Sequence, residues 1–182
     1  MHITRRKFLA KAMAQTSGVG MVAGYAAQNS VIAAENGEQM KYFKLFPIGK
    51  VEKQAQSVRL RIFDEYIDGL LGLDGWSHVQ VFYWFDKNDT PQQRKILKVH
   101  PRGEKQNPIT GVFACRAPFR PNLIALSVCK VISVQNNFVT VDEIDAFNDT
   151  PILDLKPYIP LDAPTQNIRV PDWAKPKKSS GS

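Results

Sequence analysis

Three polar residues near the end of the chain could together handle a proton. Asp154, Lys156 and Tyr158 are two residues apart, and side chains at a period of two share one face of a strand. A carboxylate beside a cation and a phenol can accept or donate a proton. The alternative is structural: an ion pair and a capping tyrosine that fix the strand to its neighbours. We take the three as candidate catalytic residues.

A second candidate group lies in a loop of unusual composition. Residues 116–122 contain two Arg, two Pro and one Asn. The pattern predicts that Arg116 follows directly on an apolar strand, and its planar guanidinium suits a carboxylate or a phosphate. Arg120 and Asn122 flank Pro121, which stiffens the loop and limits the entropy lost on binding. These features suit a substrate site, and they equally suit a loop that the arginines tie to backbone carbonyls.

Other kinds of site are not indicated. The glycine-rich dinucleotide fingerprint and the phosphate-binding P-loop are both absent. The two Cys and three His lack the close spacing of a metal site. In an oxidising compartment Cys115 and Cys129 could form a disulfide if their Cα atoms lay within about 7 Å of each other. The alternative is that both are small apolar residues of the core.

The N-terminal residues 1–34 have the three parts of a secretory signal. Residues 4–9, which include Arg5 and Arg6, match the twin-arginine export pattern, a weakly apolar stretch covers 12–27, and residues 31–34 offer a cleavage site. The apolar stretch is too short and mild for a stable span, which needs roughly 20 strongly apolar residues. We therefore expect a periplasmic mature protein with no stable membrane span.

Removing this signal weakens the case for nucleic acid from charge alone. Four of the 24 Lys and Arg residues lie in residues 1–34, which contain no acid, so the net charge falls from +7 to about +3. After a linker over 35–45, a domain over 46–161 is long enough for one core, and 162–182 reads as an extended or disordered tail.

Short strands at close spacing dominate the domain. Alternating or apolar runs rich in Val and aromatic residues predict strands over 57–63, 78–85, 96–99, 111–116, 123–134 and 138–144. Residues 135–137 form a hairpin-type turn, and Asp64 can cap a short helix over 65–71. The fold class is mainly β: a single-domain barrel of short, mostly antiparallel strands with a short helix, although the pattern alone does not separate a barrel from a sandwich.

The chain resembles the TsaA-like (TrmO) family over roughly 46–160. The resemblance rests on residues 111–122 and 148–158, together with four shorter segments of the sequence: Pro47-Ile48-Gly49, Gly75-Trp76-Ser77-His78, His100-Pro101-Arg102-Gly103 and residues 107–113. It implies a β-barrel that uses S-adenosylmethionine to N-methylate threonylcarbamoyladenosine of tRNA. It also implies that loops at one barrel end and a homodimer interface form the cofactor site.

The resemblance assigns cofactor contacts to eight residues. They are Asp86, Lys87, Arg116, Leu126, Ala146, Phe147, Asn148 and Asp149. Judged from sequence alone, Leu126 is simply a core strand residue, and a solvated loop explains Asp86 and Lys87 equally well.

An alternative function follows from several departures from the family pattern and from the export signal. Ala125 and Asp149 stand where the family usually has glycine, and Cys115 and Ala117 stand where it usually has Thr and Ser. The Pro-Arg-Gln cofactor segment of longer members is missing from residues 50–56. Export would also separate the protein from cytosolic tRNA and S-adenosylmethionine. The alternative is therefore an exported small-molecule-binding barrel that has lost methyltransferase activity.

Overall fold

The computed structural model describes residues 42–55, 57–160 and 168–175. The chain separates into two units, residues 1–44 and 45–182. Only residues 42–44 of the first unit are described, and they are exposed and lack regular secondary structure. The predicted signal and most of the predicted linker therefore lie outside the described residues. In the described ranges, no helix is long and apolar enough to cross a membrane.

Six strands of the second unit close into an antiparallel barrel. The barrel order is β1-β2-β7-β6-β3-β8, and β1 pairs with both β2 and β8 to close it. The strands are β1 (Gly49–Gln54), β2 (Ser57–Ile62), β3 (His78–Trp84), β6 (Ile124–Gln135), β7 (Phe138–Val141) and β8 (Pro151–Pro157). The short strands β4 (Lys98–Val99) and β5 (Thr110–Gly111) form a separate pair. Closure confirms the predicted fold class.

Alternation of side chains decides which face of each strand is buried. In β3 the side chains of Val79, Val81 and Tyr83 point into the barrel, while the intervening residues are only partly buried. Ala125 lies opposite Tyr83 on β6 and is also buried. The core is thus one apolar cluster inside the barrel, and the polar hydroxyl of Tyr83 lies at its edge.

Gly49 allows the barrel to close. A Cβ atom at this position would lie 2.2 Å from the backbone oxygen of Arg61 on the paired strand. Real Cβ atoms do not approach a backbone oxygen so closely, so only glycine fits between β1 and β2 here.

Among residues 42–55, 57–160 and 168–175, the helices are short and mostly of the 3₁₀ type. One α-helix, α1 (Pro91–Arg94), has Thr90 as its N-cap, with the Thr90 side chain accepting a hydrogen bond from the Gln93 backbone N–H. The predicted helix over 65–71 is instead a 3₁₀ helix, Asp64–Leu70, and Phe63 rather than Asp64 occupies its N-cap position. The other 3₁₀ turns are Leu73–Gly75, Asp86–Asn88, Pro101–Gly103, Val112–Ala114 and Asp172–Ala174.

Several predicted element bounds were wrong. The strand expected over 111–116 ends at Gly111, and a 3₁₀ turn, Val112–Ala114, replaces the rest. The strand β7 ends at Val141, three residues early, and β1 lies where no strand was predicted. Leu126 is an outward-facing residue of β6 and not a core residue, because inward positions on β6 alternate with it.

Both cysteines are free thiols. Cys129 faces the core from β6, and burial raises the pKa of its thiol to about 12. Cys115 is half-buried, and its Sγ lies 3.7 Å from the carbonyl oxygen of Gly111. The buried position of Cys129 accords with the core alternative of the two sequence interpretations.

Candidate functional site

Three cavities meet at Arg116, which lines all of them. The loop cavity, of about 550 Å³, is lined by Lys53, Tyr83, Trp84, Phe85, Asp86, Lys87, Asn88, Arg116, Pro118, Asp145, Ala146, Phe147 and Thr150. The strand cavity, of about 640 Å³, is lined by Phe82, Tyr83, Phe85, Arg116, Arg120, Ile124, Ala125, Leu126, Ser127, Val128, Glu143, Ile144 and Asp145. The tail cavity, of about 690 Å³, lies on the far side of Arg116 and Pro118 and is bounded by residues 99–103, 114–119 and 170–174.

The free guanidinium group of Arg116 is the most distinctive feature of the site. Arg116 follows the 3₁₀ turn Val112–Ala114 and an extended Cys115, not a strand as predicted. Among the described residues its guanidinium has neither a hydrogen bond nor a salt bridge, whereas most buried or loop arginines are tied to carbonyls or carboxylates. An unpaired fork of donors facing three cavities is suited to bind an anionic group of a ligand.

Arg120 has a different role in the same loop. Its guanidinium donates to the carbonyl oxygens of Val112, at 3.0 Å, and of Ile124, at 3.4 Å. Arg94 donates to the carbonyl oxygen of Pro121 at 2.8 Å. Arg120 therefore braces the loop and at the same time lines the strand cavity. Asn122 is exposed and lines none of the three cavities.

The loop over residues 144–150 forms one wall of the loop cavity, and β1 holds it from one side. Lys53 donates from its backbone N–H to Asn148 Oδ1, at 2.8 Å, and from Nζ to the carbonyl oxygen of Ile144, at 3.0 Å. Lys50 Nζ lies 2.6 Å from Asp149 Oδ1. These contacts position Ala146 and Phe147 at the cavity.

Tyr83 holds the same loop from inside the barrel. Its hydroxyl donates to the carbonyl oxygen of Asp145 and lies 3.3 Å from Ser127 Oγ. Burial raises the pKa of the Tyr83 phenol, so the hydroxyl keeps its proton and can donate at neutral pH. Sequence reasoning missed this residue, although a phenol among the inward-facing residues of an apolar strand signals a buried hydrogen bond.

Asp149 adopts a left-handed backbone conformation, with φ at 64°. Aspartate tolerates this region better than most residues, so the turn forms without glycine. The hydrogen bond from Lys50 holds the pKa of the Asp149 carboxyl below its usual value, and Asn148 donates a second bond to it. The carboxylate is thereby engaged at the surface and does not line the three cavities.

The structure groups most of the predicted cofactor residues. Asp86, Lys87, Arg116, Ala146 and Phe147 line the loop cavity, and Leu126 lines the adjoining strand cavity. Asn148 and Asp149 lie just behind, as anchors of the loop. Within the described ranges, no group of three or more His, Cys, Asp or Glu side chains could hold a metal ion.

The predicted catalytic residues lie on the outside of the barrel. Lys156 Nζ is 2.7 Å from Asp154 Oδ2, and both side chains are about half exposed. Lys156 Nζ also lies 5.9 Å from the ring centroid of Phe82, which lines the strand cavity. Tyr158 follows the end of β8, and its ring packs edge-on against His78 at 6.4 Å. Asp154 and Lys156 thus share a face as predicted, but the three residues lie beside the cavities and not in them.

The chemistry of the loop cavity defines a kind of ligand. Arg116 can bind a carboxylate, and Asp145 can bind an ammonium group or hydroxyls. Lys87 Nζ lies 3.2 Å from Asp86 Oδ2, so the charges of these two side chains already pair with each other. The rings of Trp84, Phe85 and Phe147 offer flat apolar surface for a planar ring. The residues therefore suit a small molecule that combines a zwitterionic end with an aromatic base.

Comparisons with known proteins agree with this geometry. Residues 40–162 match the model of the family described as the tRNA-methyltransferase O N-terminal domain. A probable S-adenosyl-L-methionine-binding protein of Methanocaldococcus jannaschii is 49% identical, over 64% of this chain and 91% of the relative. A human tRNA (adenine(37)-N6)-methyltransferase is 36% identical over 63% of this chain, which aligns with 25% of the human protein.

A solved structure shares the fold. A crystal structure of TrmO from Pseudomonas aeruginosa superposes with a TM-score of 0.55 at 24% identity, covering 70% of this chain and 61% of that one. This chain thus spans less than two thirds of the solved chain and a quarter of the human relative.

Proposed function

Because the chain belongs to the family of the tRNA-methyltransferase O N-terminal domain, we propose that it is an S-adenosylmethionine-dependent N-methyltransferase acting on threonylcarbamoyladenosine of tRNA. The archaeal relatives that bear the name of the cofactor support the methyl donor. The human and mouse relatives, named as adenine(37)-N6 enzymes of tRNA, support the substrate.

The loop cavity fits the methyl donor. The zwitterionic amino-acid end of S-adenosylmethionine matches the cations and carboxylates of the cavity, and the adenine of S-adenosylmethionine matches the aromatic rings of Phe85 and Phe147. When bound, S-adenosylmethionine supplies an electrophilic methyl group. The protein's part is to hold the acceptor nitrogen in line with that group and to exclude water, which supplies most of the rate in a transfer between two bound molecules.

One observation carries the proposal: the guanidinium of Arg116, which has no partner among the described residues, lines both the loop cavity and the strand cavity. A charge-assisted hydrogen bond is worth about 1.5–3 kcal/mol, or roughly a 10- to 150-fold change in affinity. Arg116 is therefore expected to bind the carboxylate of the cofactor or an anionic group of the substrate.

Calorimetric titration with S-adenosylmethionine tests this role. Arg116→Ala should weaken binding about 10- to 150-fold, and Arg116→Lys should restore part of the loss, because it keeps the charge but not the fork. Arg61→Ala is the matched control, since Arg61 lies on the barrel exterior near Glu52 and lines none of the three cavities. Absence of binding by the wild-type protein at millimolar cofactor would contradict the proposed function.

The outer face of β6 supports the homodimer that the family resemblance implies. Ile124, Leu126, Val128 and Ile132 alternate along this face and are between 36% and 56% exposed. Three successive outward-facing apolar side chains, with Ile132 following beyond the exposed Lys130, are an unusual exterior for a monomer. We propose that a second copy of the chain covers this row, which borders the strand cavity through Leu126 and Val128.

The proposed dimer also gives the Asp154–Lys156 pair a function. Asp154 could accept the proton that leaves the methylated nitrogen, but within one chain it lies outside the three cavities. A partner subunit docked beside Phe82 would place the pair of one chain near the strand cavity of the other. Ile132→Glu should produce monomers in sedimentation and reduce methyl transfer. Leu97→Glu should do neither, because Leu97 is 53% exposed, close to the 56% of Ile132, but lies outside the barrel strands and lines none of the three cavities. Monomeric wild-type protein would contradict the dimer.

We also propose that residues 1–34 direct export by the twin-arginine route. The Arg5-Arg6 pair and the small residues over 31–34 support it. Sequencing the N-terminus of protein recovered from a periplasmic fraction tests it, and an intact Met1 in the cytosol would contradict it. If export is found and S-adenosylmethionine does not bind, the alternative of an exported binding barrel replaces the methyltransferase.

A further inference from the structure

The tail cavity has two aromatic walls from distant parts of the chain. Phe119 comes from the proline-rich loop, and Trp173 from the 3₁₀ turn Asp172–Ala174. Both rings are half-buried. Residue 173 lies beyond residues 40–162, the part of the chain that matches the family model. This wall is therefore an addition of this chain to the family domain.

The tail cavity is also lined by polar side chains, His100 and Arg102 among them. His100 Nδ1 lies 2.7 Å from the carbonyl oxygen of Asn107. Since a carbonyl can only accept, Nδ1 donates to it, and Nε2 is the ring nitrogen left for a ligand. Arg102, two residues on, is exposed and lines the same cavity, with φ at 61°. The cavity thus combines flat apolar surface, one imidazole nitrogen and the cations Arg102 and Arg116.

This combination matches a nucleotide better than other ligands. Base–aromatic stacking needs an exposed ring face, and a phosphate needs a cation. A purely apolar ligand would leave both arginines unused, and a bare phosphate would leave both rings unused. A volume of about 690 Å³ is within the range of ordinary ligand cavities and admits a base with its sugar and phosphate.

The position of the tail cavity connects it to the proposed reaction. Arg116 and Pro118 line the tail cavity and the loop cavity together. A nucleotide bound in the tail cavity would therefore be separated from the methyl donor only by these two residues.

We propose that the tail cavity binds a nucleobase of the RNA substrate, stacked on Trp173, with Arg102 bound to its phosphate. This inference rests on the proposed function for the identity of the RNA. It assigns the segment around Trp173 a role in substrate binding, and none in binding the cofactor.

The test is anisotropy titration of the full chain with a labelled anticodon stem-loop RNA that carries adenosine at position 37. Trp173→Ala should weaken RNA binding about 5- to 150-fold, the usual effect of losing one stacking platform. Trp173→Phe should stay within about 3-fold of the wild type, because it keeps a ring. Trp76→Ala is the matched control: Trp76 is also partly exposed but lines none of the three cavities.

Salt dependence separates stacking from charge. Arg102→Ala should lower the slope of log affinity against log salt by about 1, and Trp173→Ala should leave the slope unchanged. If Trp173 only supported the fold, Trp173→Ala would lower the Tm and the affinity for S-adenosylmethionine along with RNA binding. Affinity for S-adenosylmethionine, measured by calorimetry, should be the same in Trp173→Ala and wild type.

The outcomes distinguish the two proposals. RNA binding that is unaffected by Trp173→Ala, or no RNA binding by the wild type, overturns the tail cavity as a nucleobase site. Loss of cofactor affinity in Trp173→Ala also overturns it, because the segment would then belong to the cofactor site. If the wild type binds RNA through Trp173 but binds no S-adenosylmethionine, the tail cavity stands and the methyltransferase proposal fails.

Discussion

Replacing Tyr83 by Phe removes one hydroxyl at the point where the barrel holds the 144–150 loop. The hydroxyl donates to the carbonyl oxygen of Asp145 and contacts Ser127 Oγ at 3.3 Å. Phe fills nearly the same space, so no large cavity is expected. The change isolates the contribution of the hydrogen bond to the stability of the fold and to the shape of the loop cavity.

The magnitude follows from burial. Tyr83 is 3% exposed, but Asp145 is an exposed residue, so water can replace the lost donor at its carbonyl. The expected loss is therefore the net worth of one hydrogen bond, about 0.5–1.5 kcal/mol. For a chain of this size each kcal/mol lowers the Tm by about 2–4 °C, so the Tm should fall by about 1–6 °C. If the whole loss appears as disorder of the loop, affinity for S-adenosylmethionine falls by at most about 13-fold.

The assay pairs thermal unfolding with calorimetric titration of S-adenosylmethionine. Tyr66→Phe is the control, because the Tyr66 hydroxyl is near the surface, with Glu65 as its neighbour, and away from the three cavities. It should change neither the Tm nor the affinity. If Tyr83→Phe loses stability but keeps full affinity, Tyr83 supports only the core, and the argument that it positions the loop is refuted.

Two further predictions concern Gly49, where β1 and β2 approach closely, and Asp149, which pairs with Lys50. Gly49→Ala should lower the free energy of unfolding by about 3 kcal/mol or more, since its Cβ would clash with a backbone oxygen, whereas Gly69→Ala, with nothing within 4 Å, should be nearly neutral in thermal unfolding. Asp149→Asn should lower the Tm at neutral pH. Because the folded pKa of Asp149 is depressed, its stabilisation is present above the ordinary value of 3.8 and is lost as the pH falls through the lowered pKa, so wild type and variant should converge in acid. A difference in Tm that persisted unchanged in acid would show that the Lys50 contact is not its source.

Most of the fold prediction rested on the alternation of apolar and polar residues along the strands. In β3 the inward residues Val79, Val81 and Tyr83 recur at a period of two, as an alternating strand predicts. In β6 both faces are apolar, so the expectation that Leu126 lies in the core was wrong. The hairpin after β6 could be identified because Asn136 tolerates the left-handed backbone, with φ at 53°, that its turn requires. The strand pattern alone did not separate a barrel from a sandwich, because closure depends on the pairing of β1 with β8, which lie about a hundred residues apart.

The candidate site was predictable by residue type but not by geometry. The polar residues of 116–122 were identified, yet no sequence signal distinguishes Arg116, which is unpaired among the described residues, from Arg120, which donates to two carbonyls. The prediction of a strand over 111–116 was wrong for a related reason. Apolar residues over 112–114 form a 3₁₀ turn, in which Val112 is buried and Phe113 exposed, and short apolar runs do not distinguish these structures.

Two of the departures from the family pattern, Ala125 and Asp149, bear directly on the choice between a methyltransferase and a repurposed barrel. If Asp149 had turned its carboxylate into the loop cavity, it would repel the carboxylate of the cofactor. Instead Lys50 and Asn148 hold it, and the backbone keeps the left-handed turn. Ala125 adds one methyl to the barrel interior, where it is 4% exposed and lies opposite Tyr83. Neither change removes a ligand-binding group, and Arg116 remains free, so the geometry favours a retained cofactor site. Ala125→Gly and Asp149→Gly should then leave affinity for S-adenosylmethionine within a few-fold of wild type, and a large gain would mean that the site has begun to diverge.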